Sequence, residues 1–240
     1  MIDRISPTHR PTGWPVGYQR WHSLLFLHWP VPEAVLRPLV PAELSIDRYD
    51  GVAYVGLIPF AIEQARPAVP PPLGLDFLET NVRTYVHLAG EDPGVYFFSL
   101  DAASLLAVVG ARVGFGLPYY HARMRMRAHD GVVDYAMRRL TGRTGGLAVR
   151  YEVGEPLGTA APGTLEHFLI ERYLLHVRRW NGLWTTQVHH RPYPLYRARV
   201  HELRERLLDA DGLPPAVGAP LVHYASLVDV DVFAPRPRNA

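Results

Sequence analysis

Residues 77–88 have the sequence FLETNVRTYVHL, in which two kinds of side chain alternate along the chain. Successive side chains of a β-strand point to opposite faces, so this alternation predicts a strand. One face is mainly apolar and consists of Leu78, Thr80, Val82, Thr84, Val86 and Leu88. The other face carries an acid, an amide, a base and a phenol in succession, namely Glu79, Asn81, Arg83 and Tyr85. The stretch therefore predicts a strand with one apolar face and one face suited to binding or catalysis.

Three environments are compatible with this polar row, and the sequence alone leaves all three open. If the row lines a cavity, Arg83 can hold a carboxylate and Glu79 can act as a base. If it faces water, it is an ordinary solvated strand surface. A buried Glu79–Arg83 ion pair would need help from a neighbouring strand, because positions i and i+4 of a strand lie about 13 Å apart.

Short apolar segments separated by turns make up most of the remaining chain. Strands are expected over residues 21–29 and 51–60, where apolar and aromatic side chains run almost without interruption. The pairs Asp130-Gly131 and Asn181-Gly182 have the composition of tight hairpin turns. Because strands do not alternate regularly with helices, the sequence predicts a mainly β fold with a closed or curved antiparallel sheet, and not a doubly wound parallel sheet.

Helices and chain ends complete the predicted organisation. One helix is expected from Asp101, as its N-cap, to about Val113, and another over residues 202–210. The prolines of residues 1–20 predict an extended arm, followed by a single domain over 21–233 and a short tail over 234–240. Because the N-terminus lacks the apolar segment of a signal peptide, we expect a cytoplasmic protein.

The composition excludes several kinds of chemistry. With 48% hydrophobic residues, the 240-residue chain has enough apolar side chains for a substantial core. Cysteine is absent, which excludes disulfides, thiolate nucleophiles and cysteine-ligated metals. The spacing of the 12 histidines matches no recognisable metal site, so we expect neither a metal nor another cofactor. A net charge of only +2 gives no strong case for nucleic acid or a membrane as partner.

Five segments of the chain together resemble a known family. They are LHWPVPEAVLRPLVPAELSID (27–47), FLETNVRTYV (77–86), GVYFFSLDA (94–102), ARVGFGLPYY (111–120) and LVHYASLVDVDV (221–232). In this order and spacing they are similar to the YqjF-like uncharacterised bacterial family, which belongs to the acetoacetate decarboxylase-like superfamily. The resemblance implies a cone-shaped, partly closed antiparallel β-barrel with a hydrophobic cavity and helices packed outside. Self-association into a homo-oligomer is a further expectation from the resemblance.

The resemblance also shows which chemistry is missing. In the decarboxylases a lysine, activated by a neighbouring lysine and an apolar pocket, forms a Schiff base with a β-keto acid. That lysine pair corresponds here to Tyr119-Tyr120, and all 25 basic residues of this chain are arginines. An acid of the family corresponds to Glu79, a second acid is replaced by an apolar residue near Val55, and an arginine falls close to His22. The resemblance therefore implies the scaffold without side-chain Schiff-base chemistry, and only the Met1 α-amine could still form an imine.

The candidate site residues follow from these two lines of reasoning. Catalytic roles are expected for Glu79, as base, and for Tyr119 or Tyr120, as a hydrogen-bond donor to a carbonyl or enolate oxygen. Binding roles are expected for Arg83, as carboxylate anchor, and for Asn81, Tyr85, Arg112 and His22. Ordinary structural roles compete with several of these assignments. The tyrosine pair could pack in the core, Arg112 could complement the dipole of its helix, and His22 could be a structural histidine.

Two functions from different classes are compatible with these residues, both with a small organic acid or carbonyl compound as ligand. The first is a lyase or isomerase that works by acid–base catalysis. The alternative is a non-catalytic ligand-binding or sensor protein. A perturbed Glu79 pKa together with a tyrosine hydroxyl at the same point favours the enzyme. A pocket with only apolar walls favours storage or sensing. Under a third, weaker hypothesis the proline-rich stretch 65–74 recruits a protein partner.

Overall fold

Strands dominate the computed structural model, which describes residues 2–69, 74–179 and 181–238. Within these residues the strands are β1 (Gly17–Val31), β2 (Ser45–Ile46), β3 (Ala53–Pro67), β4 (Leu75–Leu88), β5 (Glu91–Ala102), β6 (Tyr119–His129), β7 (Val132–Arg139), β8 (Gly146–Gly158), β9 (Leu174–Arg179), β10 (Gly182–His189), β11 (Leu195–Glu205), β12 (Leu221–Val232) and β13 (Arg236–Arg238). The α-helices are α1 (Glu33–Leu36), α2 (Leu105–Phe115), α3 (Leu165–Ile170) and α4 (Leu207–Ala210), and 3₁₀ turns span Ser6–Thr8 and Arg37–Leu39. The predicted mainly β class is confirmed. No helix of the described residues is long and apolar enough to cross a membrane.

The strands form one sheet that closes on itself. Nine of them make a ring in the order β5-β6-β7-β8-β11-β12-β1-β3-β4, and β4 returns to β5. The predicted antiparallel pairing holds throughout the described sheet except at β5, which is parallel to both β6 and β9. The parallel pair β5–β6 arises because α2 crosses between the two strands, as parallel pairing requires. The result is a closed ring that is not a regular barrel.

The sheet branches at two of its strands. One edge of β5 pairs with β9 at Val95 and Tyr96 and with β6 from Leu100 onward, while its other edge pairs with β4. One edge of β12 is likewise shared between β10 and β11, while its other edge pairs with β1. Since β9 pairs with β10, these two strands form a second connection between β5 and β12. We call β5 and β12 the branch strands.

Both faces of the central strands are buried, which explains their nearly continuous apolar sequence. On β1, Leu25 and Leu27 belong to one apolar cluster, whereas Leu24 and Phe26 belong to a second cluster on the opposite face. On β4, Val82 contributes to the first cluster in the same way, and the polar row shares its face with the second. The sheet therefore separates two apolar interiors.

Two predicted helices differ from the observed ones. Asp101 does not cap a helix: it lies in β5, where Arg139 binds its carboxylate through two hydrogen bonds of 2.7 Å. Ser104 is the N-cap of α2, since its hydroxyl accepts the backbone N–H of Ala107. The first four residues of the helix predicted over residues 202–210 are strand, because β11 continues to Glu205 in register with β8. Only α4 in that stretch is helical.

The sheet extends beyond residues 21–233 at both ends. Strand β1 begins at Gly17, so the last four residues of the extended arm predicted over 1–20 belong to the sheet. The predicted tail contributes β13, which pairs with β10. Strand β3 runs to Pro67, into the proline-rich stretch 65–74, of which residues 70–73 lie outside the described residues. Met1, the one remaining candidate amine, also lies outside them.

Candidate functional site

A cavity of about 400 Å³ lies between the sheet and helix α2. Its walls come from β1, β3, β4, β5 and α2, with smaller contributions from β6, β9, β10 and β12. Most lining side chains are apolar, among them Trp21, Leu24, Phe26, Ile58, Phe60, Phe97, Leu100 and Leu106. This volume lies at the small end of the usual range for ligand pockets, about 300–1,000 Å³.

The polar row of β4 faces this cavity. Glu79, Asn81 and Arg83 all line it, and they are only 3%, 5% and 8% exposed. Three environments were compatible with the sequence. The row lines a cavity and is not a solvated surface. Glu79 and Arg83 make no ion pair with each other. Three polar groups thus project from one strand into a mainly apolar space.

Glu79 and Tyr119 form the polar centre of the cavity. The Tyr119 hydroxyl donates a hydrogen bond of 2.7 Å to Oε2 of Glu79. Burial raises the pKa of Glu79 to about 8, although the Tyr119 hydrogen bond opposes this shift. Burial and the neighbouring acid also raise the pKa of Tyr119 well above its usual value. At neutral pH this pair is therefore a protonated carboxyl beside a protonated phenol.

A second tyrosine fixes the backbone of the acid. The Tyr135 hydroxyl, from β7, lies 2.9 Å from the carbonyl oxygen of Glu79 and 2.9 Å from the hydroxyl of Thr80. Because β5 and β6 lie between β4 and β7 by the shorter way round the ring, this contact ties Glu79 to a strand that does not pair with its own. The position of the acid is thus set by long-range packing.

Arg83 lies on the side of the row away from Glu79. Its Nη2 donates to the carbonyl oxygen of Leu169 at 3.1 Å, and its guanidinium lies 5.7 Å from the ring centre of Phe26. No ion pair with an acidic side chain of the described residues neutralises it, and its Nε has no hydrogen-bond partner among them. The carboxamide oxygen of Asn81 is also buried without a partner in this part of the chain. Both groups can therefore take polar atoms of a ligand.

Tyr85 lies behind the cavity wall and supports it. Its hydroxyl donates to the carbonyl oxygen of Leu169 at 2.7 Å and lies 2.7 Å from Nε2 of His28. Burial lowers the pKa of His28 well below its usual value, so the imidazole is neutral and its Nε2–H donates to the phenol oxygen. The binding role predicted for Tyr85 is not a direct one in this arrangement.

Three other predicted residues are not brought into the cavity. Tyr120 points away from Tyr119, because adjacent strand residues face opposite sides, and its ring stacks 4.4 Å from the guanidinium of Arg139. Arg112 is exposed on α2 and does not line the cavity. The Nε2 atom of His22 lies 3.3 Å from the Glu63 carboxylate, on the face opposite the lining residue Trp21.

Sequence reasoning missed Arg172, which also borders the cavity. It follows α3 in the segment FLIERYLL (168–175) and is buried. A charged pair, Glu171 and Arg172, inside an otherwise apolar run is a signal that could have identified it, since charged residues are rarely buried without a partner. Across the described residues no group of three or more histidine and acidic side chains is placed to hold a metal ion.

This ring and its cavity define the class of protein, the acetoacetate decarboxylase-like fold. The enduracididine biosynthesis enzyme MppR, complexed with pyruvate, has a TM-score of 0.62 at 13% identity over 95% of this chain and 92% of that one. An acetoacetate decarboxylase-like enzyme from Sphingomonas wittichii RW1 gives 0.60 at 12% identity over 94% and 93% of the two chains. Acetoacetate decarboxylase from Legionella pneumophila gives 0.54 at 13% identity over 95% and 91%.

Within that class the chain belongs to DUF2071, a family of uncharacterized conserved proteins whose model matches residues 18–229. The uncharacterized protein YqjF of Bacillus subtilis (strain 168) is 37% identical over 222 residues, which are 92% of this chain and 91% of that protein. The family resemblance predicted from the five segments is confirmed.

Proposed function

We propose that this protein is an acid–base enzyme, a lyase or isomerase, that acts on a carbonyl-bearing organic acid without a Schiff base. The observation that carries the proposal is the contact between Glu79 and Tyr119 inside the cavity. A raised acid pKa with a tyrosine hydroxyl at the same point is the arrangement that favours an enzyme over a storage protein.

Glu79 has the properties of a proton donor and acceptor near neutral pH. An acid–base catalyst works best when its pKa lies near the pH of the reaction, and the pKa of Glu79 is raised to about 8. The Tyr119 hydroxyl donates its hydrogen bond to Oε2 of Glu79, while Oε1 of Glu79 accepts no hydrogen bond from the described residues. A ligand carbonyl oxygen can therefore accept the carboxyl proton of Glu79. The carboxylate that forms, stabilised by the phenol of Tyr119, then takes a proton from the carbon next to the carbonyl, which gives the enol and returns Glu79 to its protonated form.

The remainder of the cavity supports an organic acid as the ligand. The unneutralised guanidinium of Arg83 suits a carboxylate, and the carboxamide of Asn81 lies between Arg83 and Glu79 along the strand. The apolar walls suit a carbon chain. The pyruvate complex of MppR supports the same ligand class at the level of fold.

Hydrogen–deuterium exchange at the carbon next to the ligand carbonyl tests the proposal. The protein is incubated in D₂O with pyruvate and with 2-oxobutanoate, and the loss of the ¹H NMR signals is followed. We expect exchange above the uncatalysed rate, and a decrease of about 100-fold or more in E79Q and a smaller decrease in Y119F, since positioned acid–base groups contribute roughly 10²–10⁴-fold. Y120F is the matched control and should exchange at the wild-type rate.

Binding without exchange would contradict the enzyme and support the alternative, a ligand-binding or sensor protein. The predominantly apolar wall is the observation that favours this alternative. A thermal-shift titration with the same acids separates the two, because a ligand at 100 times its Kd adds about 2.7 kcal/mol to the free energy of unfolding.

A further inference from the structure

Two buried arginines lie where the cavity meets the last turn of α3. Arg83 and Arg172 both border it, and both are held by the end of α3. Arg83 donates to the carbonyl oxygen of Leu169 at 3.1 Å, and Arg172 donates through Nε to that of Phe168 at 2.6 Å. Their guanidinium carbons lie 5.8 and 5.1 Å from the ring centre of Tyr85. The two cations are thus fixed around one aromatic ring by one short helix.

The charges at this end of the cavity do not cancel. Arg172 pairs with Asp47 at 2.9 Å. Arg4, from the N-terminal segment, also donates to both carboxylate oxygens of Asp47. Arg83 makes no ion pair with any described residue. Arg4 and Arg172 therefore share one carboxylate, whereas Arg83 pairs with none, and the carboxyl of Glu79 is protonated at neutral pH.

Each of the two arginines also has an unused donor. Nε of Arg83 and Nη2 of Arg172 are buried and have no hydrogen-bond partner among the described residues. Both side chains are more than nine-tenths buried, at 8% and 5% exposure. A buried donor on a charged group without a partner costs folding free energy, so its retention beside a cavity points to a partner that comes with the ligand.

We propose that Arg83 and Arg172 together bind the carboxylate of the ligand, and that Arg4 keeps Arg172 available for this by sharing Asp47. This inference rests on the proposed function in one respect only. It names the residues that bind the anionic end of the ligand proposed for that cavity. Arg172 is then a second anion-binding residue, and Arg4 is a positioning residue that acts through Asp47. The ligand class is a monocarboxylate with an apolar chain, held with its carboxylate at Arg83 and Arg172.

We call Arg83 and Arg172, acting together on the ligand carboxylate, the clamp. Matched acids and amides test it without any catalysis. Isothermal titration compares 3-phenylpropanoate with 3-phenylpropanamide, and hexanoate with hexanamide, on the full-length protein. We expect the wild type to prefer each acid by at least about 30-fold, because breaking a buried hydrogen-bonded charge pair costs roughly that factor or more. R83Q and R172Q should each remove most of this preference and leave amide affinity nearly unchanged.

A substitution of Arg4 tests the proposal while the buried arginines Arg83 and Arg172 stay unchanged. In R4Q, Asp47 is free to neutralise Arg172 fully, so acid affinity should fall several-fold while amide affinity is constant. R10Q is the matched control, since Arg10 is another arginine of the N-terminal segment and pairs at the surface with Asp231. It should keep the wild-type preference. Should R172Q misfold, R4Q still decides the question.

An unchanged acid preference in both R172Q and R4Q would overturn the clamp, and so would a wild-type protein that binds none of the four acids and amides. The result is independent of the exchange experiment. Acid preference without hydrogen–deuterium exchange keeps the clamp and rejects the enzyme, whereas exchange with no dependence on Arg172 or Arg4 keeps the enzyme and rejects the clamp.

Discussion

Glu79 is the residue on which both the proposed chemistry and the pH dependence of stability rest. Its carboxyl is buried with a single side-chain hydrogen bond, from Tyr119, and burial raises its pKa to about 8. Below the ordinary pKa of 4.5 it is protonated in both the folded and the unfolded chain. Between that value and 8 the unfolded chain ionises first, so the free energy of unfolding falls as the pH rises. Above pH 8 the loss is complete.

The substitution E79Q should remove this pH dependence. A pKa raised from 4.5 to about 8 corresponds to a loss on the order of 5 kcal/mol in the wild type. The free energy of unfolding of the variant, relative to the wild type, should therefore rise from pH 5 to about pH 8 and level off above it. Urea unfolding at pH 5, 7 and 9 measures the difference. The same change at the exposed Glu91 should give a profile parallel to wild type. Parallel profiles for E79Q and wild type would show that the acid is not held neutral in the fold.

At the scale of elements, α2 and β5 differ most from the sequence-based prediction. An aspartate before an apolar run is typical of an N-cap, yet Asp101 completes β5 and pairs with Arg139, which is 38 positions further along the chain. Arg139 also binds Asp211 at 2.9 Å, so it links three distant segments. A local pattern cannot reveal a partner that only the folded ring brings near.

Two substitutions distinguish the role of Ser104, the N-cap of α2, from that of Asp101, which lies in β5. S104A removes one capping hydrogen bond and should lower the free energy of unfolding by about 1 kcal/mol. D101N weakens a buried ion pair and should cost about 3 kcal/mol, the lower end of the usual range because Asp211 still balances Arg139. Urea unfolding at pH 7 measures both. Equal losses would contradict the assignment of Asp101 to the ion pair.

The alternation of polar and apolar side chains on β4 shows how much of the site the sequence predicts. It separates the polar row from the apolar face correctly, and the period of two also explains why only one of Tyr119 and Tyr120 enters the cavity. It does not distinguish a cavity from solvent. The opposite wall comes from α2, from β9 and β10 and from Arg172, which follow the row by 20 to 110 residues. Those distances in sequence are why Arg172 escaped prediction.

The whole molecule retains the decarboxylase-like ring but carries no lysine, and this has a direct chemical consequence. Borohydride reduction in the presence of acetoacetate should leave no adduct on any side chain, as measured by mass spectrometry of the digested protein. In Y119K, whose new amine enters the apolar cavity, we expect an adduct. Y120K is the matched control and should remain unlabelled, because Tyr120 packs on Arg139 outside the cavity. An adduct on Y120K alone would reverse the assignment of the two tyrosines.

The two branch strands have a consequence for how the molecule unfolds. Each of them is paired with three other strands. If either one detaches, the β6-β7-β8-β11 part of the ring and the β9–β10 connection each lose the strand that pairs with one of their edges. Melting should therefore be a single cooperative event, with the cavity lost in the same step as the sheet. A ligand in the cavity then protects the amide hydrogens of strands far from it, because one equilibrium governs them all.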